Sequence, residues 1–164
     1  MKYLVVILSF LIFLYSLPPT VSPYRDCGEL SLGAKTVSVL HPPGYPLYSI
    51  IGKFFHSIFP FSNSSYRLNI MSSIFSAISI FILFEIIFII TSNKLISFFL
   101  SLTFALSLPF FKLSTVSESY SPDIFFLSLI LLLLLKRKNI YLISFIMGIA
   151  ITNRLSLLLI YPAF

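Results

Sequence analysis

The sequence predicts an all-α membrane protein, a polytopic helical bundle with about five spans, and three observations carry that expectation. Of 164 residues, 58% are hydrophobic and 10% charged, where soluble domains carry about 25% charged residues. Apolar runs close to the ~20 residues that cross a bilayer recur along the chain. Between them the polar residues collect in a few connections, and the mean hydropathy reaches +1.03. The net charge of +6 is spread over basic residues scattered among the apolar runs. Such a distribution fits membrane topology and argues against nucleic acid as a partner. A single cysteine, Cys27, excludes an intrachain disulfide and a multi-cysteine metal cage.

The first span is expected at 3–17, behind Lys2. The following "SLPPTVSPY" has no small-x-small cleavage pattern, which favours an uncleaved span over a signal peptide. Residues 18–67 form a long polar loop. The second span follows at 68–90 and the third at 95–111. The fourth occupies 122–135, with Pro122 tolerable in a first helical turn, and the fifth 140–161, ended by Pro162. If all five cross, Lys2, Lys94 and Lys136-Arg137-Lys138 fall on one side, which the positive-inside rule makes cytoplasmic together with the N-terminus. Asp26, Glu29, Glu118 and Asp123 then share the outer face, periplasmic, extracellular or lumenal. Glu85, the fifth acid, sits inside the second span.

The first outer loop is the chemically dense part. Prolines in "LPPTVSPY" forbid regular helix and suit an exit from the membrane. From "DCGE" onward, Leu30, Ala34, Val37 and Leu40 recur at near-helical spacing, as in a weak amphipathic helix lying in the interface. Asp26 followed three residues later by Glu29 fits a capping box; the same pair fits catalysis, and the two roles can coexist. In "HPPGYPLY", Pro42 and Pro43 force extended backbone and Gly44 permits a turn. Pro46 then starts a second interfacial helix, "PLYSIIGKFFHSIF". His41 is thereby held on a rigid corner, facing the acid pair. His41 and His56 are the only histidines and lack metal-ligand spacing such as H-E-x-x-H, so a zinc hydrolase is disfavoured and no metal ligand is assigned. Neither a Gly-rich phosphate loop nor a G-x-S-x-G elbow occurs. Arg154, well inside the fifth span, must face protein or a water-filled cavity. It could pair with Glu85 or bind a lipid phosphate. Arg25 and Lys53 read as headgroup contacts, and Asn63-Ser64-Ser65 matches a glycosylation sequon.

The stretch "PTVSPYRDCGELSLGAKTVSVLHPPGYPLYSIIGKFF" resembles the opening of the protein O-mannosyltransferase-like membrane family, within the GT-C class of glycosyltransferases. The resemblance rests on Asp26, Gly28 and Glu29, then on His41 through Leu47. It continues through Tyr66, Arg67 and Asn69 and through "SESYSPD", where Glu118 and Tyr120 match and Asp123 stands where Asn is usual. It implies a partial GT-C fold that passes a sugar, mannose by analogy, from a polyprenyl-phosphate donor to a protein or glycan acceptor hydroxyl on the outer face. Asp26 would take the acceptor proton, with Glu29 beside it. His41, Tyr45, Glu118 and Tyr120 would line the substrate pocket, and Arg67 and Arg154 would meet the donor phosphate. No cofactor beyond the lipid-linked sugar is implied; membrane lipid is the other partner. Ending at "LIYPAF", the chain is expected to be the N-terminal part of a longer enzyme. The alternative is a non-catalytic membrane subunit or degenerate relative that kept the loop.

Overall fold

Asparagine caps and prolines divide the apolar sequence into helices. The computed structural model describes residues 1–42 and 44–163, with side chains as far as Leu159. The helices are α1 (Lys2–Tyr15), α2 (Cys27–Thr36), α3 (Pro46–Ile58), α4 (Ser64–Thr91), α5 (Lys94–Leu106), α6 (Leu108–Thr115), α7 (Tyr120–Leu135) and α8 (Ile140–Asn153). A 3₁₀ segment, Leu155–Ala163, follows, and no strand occurs among the described residues. The all-α expectation holds.

Three of the starts share one device. The side chain of Asn63 accepts from the Tyr66 N–H at 3.0 Å, that of Asn93 from Leu95 and Ile96, and that of Asn139 from Tyr141. Each satisfies a backbone donor that the first helical turn leaves without a partner.

Helix α4 is the axis of the fold. Its 28 residues extend roughly 42 Å, and α1 to α3 and α5 to α7 all pack against it. Ser65, Asn69, Ser72, Ser73, Ser76 and Ser79 are buried along it. Such small side chains let helix backbones approach closely, and the Ser73 hydroxyl donates to the Ser114 carbonyl at 2.9 Å.

The expected spans are reproduced unevenly. Among the described residues, α4 alone is long and apolar enough to cross a membrane, or two segments are if α5 and α6 count as one bent span. The 14 residues of α1, the 16 of α7 and the 14 of α8 reach only roughly 21–24 Å as helix, short of the ~30 Å hydrocarbon core. The third segment is not the continuous 95–111 helix expected. It breaks at Ser107 and turns by 67° into α6, because Pro109 lacks an N–H and its ring clashes with the carbonyl four residues earlier. The fifth is likewise not one helix over 140–161. Helix α8 stops at Asn153, and Arg154 is extended at φ −157°, ψ 127°.

At one end of the bundle, Glu85 meets the Lys2 ammonium at 3.1 Å and that of Lys136 at 4.0 Å. The pairing of Glu85 with Arg154 allowed by the sequence therefore does not occur. Toward the other end, both helices expected in the first loop form, and a core of Leu30, Ala34, Leu40, Tyr48, Leu68 and Met71 joins them to α4. Gly52 makes this junction possible. A Cβ there would lie 2.5 Å from Ala34 Cβ and 3.1 Å from Leu68 Cδ2. The packing sets the N-terminus of α2, and with it Asp26, over the start of α7.

Candidate functional site

Asp26 occupies the N-cap position of α2, yet its side chain makes no capping bond. The capping box is absent because Glu29 is committed elsewhere. One Glu29 oxygen accepts the His41 backbone N–H at 2.7 Å, and the other lies 2.7 Å from His41 Nδ1. Those two bonds, backbone first, hold the Glu29 carboxyl below the usual carboxylate range. An anionic Glu29 favours the proton on Nδ1, so the other ring nitrogen is the one aimed at substrate space. Nε2 lies 3.8 Å from an Asp26 oxygen. The imidazole thus stands between two carboxylates, tied to one and near the other, which is half exposed at 49%.

The corner that carries His41 is closed by a Gly44 N–H to His41 carbonyl bond of 2.8 Å; Pro43, expected to stiffen it, lies outside the described residues. Tyr45 follows in the left-handed region at φ 44°, an uncommon conformation for a residue with a side chain. Its ring packs edge-on to His41 at 5.4 Å. Burial, opposed by the nearby Arg154, raises the Tyr45 phenol above its ordinary value. Arg25, next to Asp26, is left-handed too, at φ 46°. Strain of this kind collects where the surroundings over-determine a geometry.

Glu118 comes to the site from below. It is 1% exposed and accepts from the Asp26 backbone N–H at 3.2 Å and from Cys27 Sγ at 3.6 Å. Burial, opposed by the Asp26 N–H bond, pushes its carboxyl above the usual range, and burial with the Glu118 carboxylate beside it pushes the Cys27 thiol up to about 12. Cys27 is therefore an inert packing residue, and Glu118 fixes the backbone on which Asp26 stands.

Beside this cluster lies a cationic half. The Tyr120 hydroxyl oxygen accepts from Arg25 Nη1 and from Arg154 Nη2, the latter at 3.0 Å. The two guanidinium carbons lie 5.2 and 4.1 Å from the ring centre. Arg154 Nη1 lies 3.6 Å from Asp123, while Asn153 donates to the Asp123 carboxylate at 2.7 Å and to the Ser119 carbonyl at 3.1 Å. The break after α8 thus delivers Asn153 and Arg154 to the start of α7.

Of the residues singled out from sequence, Asp26, Glu29, His41, Tyr45, Glu118, Tyr120 and Arg154 come together. Arg67 does not join them: its guanidinium donates to the carbonyls of Phe61, Ser62 and His56 at 2.8, 2.9 and 3.2 Å. Sequence reasoning read Arg25 as a headgroup contact and gave Asp123 and Asn153 no site role, whereas Arg25 meets Tyr120 and the other two meet each other beside Arg154; a charged or amide residue directly beside a candidate was the available signal. Among the described residues, no three His, Cys, Asp or Glu side chains are grouped as a metal ion would need.

Residues 26–164 match the family described as "Protein O-mannosyl-transferase TMEM260 N-terminal domain". Protein O-mannosyl-transferase TMEM260 of Mus musculus is 30% identical over 122 residues, which cover 74% of this chain and 17% of that protein. Protein O-mannosyl-transferase tmem260 of Dictyostelium discoideum is 34% identical over 77 residues, 46% of this chain and 9% of that protein. The matched stretch is thus under a fifth of the length of either relative. No solved structure matches the chain.

Proposed function

We propose, for a chain that belongs to the family of the protein O-mannosyl-transferase TMEM260 N-terminal domain, that Asp26 is the general base of a membrane glycosyltransferase of GT-C type. The observation that carries the reading is the convergence of a half-exposed, uncommitted carboxylate, a carboxylate-anchored histidine and two arginines in one side-chain cluster. The sugar is mannose by analogy with the relatives' names, and the donor is a polyprenyl-phosphate sugar. The acceptor hydroxyl, on a protein or glycan, attacks the anomeric carbon and passes its proton to Asp26. The bond from that carbon to the donor phosphate breaks, and its electron pair leaves with the phosphate.

Each half of the site then has a task. Glu29 holds His41 against Asp26, so that imidazole and carboxylate share the incoming proton. Arg154 and Arg25 stabilise the leaving phosphate, which suits a guanidinium fork. Because the Tyr120 oxygen already accepts from both arginines, its O–H is directed outward to donate to a sugar or phosphate oxygen. Glu118 positions Asp26 through the backbone, and Tyr45 walls the pocket. Arg67 serves the loop rather than the donor.

Topology supports the same assignment. Lys2, Lys136 and Glu85 cluster at one end, while the other four acids lie with the loop helices. We place the lysine end in the cytoplasm and the Asp26 cluster at the outer face, with α1, α4, bent α5–α6, α7 and α8 with its 3₁₀ extension as the five spans, the short α1 and α7 accommodated by local thinning of the bilayer and by snorkelling of flanking residues.

The test is Asp26→Asn in the full-length protein, assayed for transfer from a labelled polyprenyl-phosphate sugar. A general base contributes about 10²–10⁴-fold, so transfer falls by at least about 10²-fold while membrane insertion is unchanged. Unaltered transfer removes Asp26 from the role. Absence of transfer by the unsubstituted full-length protein would favour the non-catalytic alternative.

A further inference from the structure

A polar cavity of about 470 Å³ opens between α2, α3 and the start of α4, and Lys35, Lys53, His56, Ser64 and Arg67 are among its lining. Lys35 stands nine residues along the chain from Asp26, roughly 14 Å by helical rise, so this cavity is apart from the residues of the proposed reaction. No residue lining it is acidic. Lys53 gives one hydrogen bond, to the Lys35 carbonyl at 2.8 Å, and its ammonium retains two further donors. The Lys35 ammonium has no protein partner among the described residues. Arg67 uses its N–H groups on three carbonyls, but neutral acceptors leave its charge in place. The lining therefore gathers three permanent positive charges and several hydroxyls around a cavity with no protein anion.

An independent feature lies alongside. Ile50, Phe54 and Ile58 occupy successive turns of α3 at 60%, 61% and 51% exposure, with Phe61 at 53% just beyond. This apolar ridge runs beside the row that carries Lys53 and Ser57. A helix with an apolar ridge and cations on its flank lies in the membrane interface, with the ridge among acyl chains and the cations at headgroup level.

We propose that the cavity of Lys35, Lys53, His56 and Arg67 binds the phosphate of an anionic phospholipid, with the Ile50–Phe54–Ile58 ridge seated in the same leaflet. Lys35 and Lys53 are its direct phosphate donors, and Arg67 shapes the cavity and adds charge. The site rests on the membrane reading above but not on the sugar-transfer chemistry. It anchors the first outer loop, and so the α2 helix that carries Asp26, at a fixed height over the bilayer.

The test is native mass spectrometry of the full-length protein, released from micelles doped with phosphatidylglycerol and phosphatidylcholine in equal amounts. One phosphatidylglycerol is retained in preference, and Lys35→Gln/Lys53→Gln weakens its apparent affinity by roughly 30-fold. Lys35→Arg/Lys53→Arg keeps the preference. Lys35→Gln alone removes an ammonium that holds no protein group, so its partial loss of preference is expected with an unchanged circular dichroism spectrum. Asp26→Asn retains the lipid while losing transfer, which separates this site from the catalytic one. The proposal is overturned by a wild-type protein without preference, by a double Gln variant with undiminished preference, or by inorganic phosphate displacing the lipid at equal concentration.

Discussion

Replacing Glu118 by alanine should loosen the outer end of the fold, and replacing it by glutamine should not. The carboxylate is fully enclosed and holds the Asp26 N–H at 3.2 Å and the Cys27 thiol at 3.6 Å. Alanine leaves the part-buried Asp26 N–H without its protein acceptor, about 1–3 kcal/mol, and opens a void beneath α2 that adds roughly 1 kcal/mol more. The expected loss is therefore about 2–4 kcal/mol. Glutamine keeps a carbonyl oxygen for the Asp26 N–H and removes a buried charge, so its cost stays below about 1 kcal/mol at neutral pH. The pH dependence has a definite sign. Burial raises the Glu118 pKa, so between the ordinary and the raised value the folded state binds more protons than the unfolded chain. The stabilisation linked to this group is complete below the ordinary carboxylate range and declines as pH rises through the raised value. Glutamine abolishes that decline. Thermal unfolding of the full-length protein in detergent, followed by circular dichroism between pH 4 and 8, reads all three curves. An alanine variant as stable as wild type, or a glutamine variant as damaged as alanine, would mean that Glu118 does not hold the Asp26 backbone in place.

Other substitutions address the remaining parts. Gly52→Ala drives a methyl into Ala34 and Leu68 and should destabilise by about 1–3 kcal/mol. Gly148→Ala meets nothing within 4 Å and should stabilise by about 0.4–1 kcal/mol; paired melting curves check both. Glu29→Gln releases His41 and should lower kcat by up to about 10²-fold with little change in donor KM. The Glu29 carboxyl is depressed by the His41 N–H, so the wild-type contact persists above the ordinary carboxylate pKa. It is lost only as pH falls through the lowered value, and an acid limb in the wild-type rate profile checks this. Arg154→Lys keeps the charge but loses the fork; donor KM should rise at least about tenfold, a drop of about 1.4 kcal/mol, and Arg154→Ala should be worse.

The helices were legible because their causes are local. Prolines and glycine around His41–Pro46 act within a few residues of where they stand, as do the asparagine caps at 63, 93 and 139, which the sequence reading did not use. The kink at Ser107 was also written locally, in Pro109, but the unbroken apolar run around it dominated the reading. Arg154 is different. Nothing beside it stops α8; the stop is stabilised by Tyr120 and Asp123, more than thirty residues earlier, a partner that sequence spacing cannot name. Asp26 and Glu29 show the same limit. Their spacing fits a capping box, yet Glu29 finds His41 twelve residues on, and charge-assisted bonds to a backbone N–H and a ring nitrogen displace the local alternative. Arg67 looked like a phosphate ligand because a guanidinium reads as a free charge in sequence, whereas in the fold three carbonyls occupy it.

Single-turnover transfer measures the central claim most directly. Full-length protein is loaded with labelled polyprenyl-phosphate sugar, bound donor is quantified, and acceptor is added in excess. Asp26→Asn is expected to bind donor as wild type does and to transfer it at least about 10²-fold more slowly. Transfer by Asp26→Asn at the wild-type single-turnover rate would contradict the base role of Asp26.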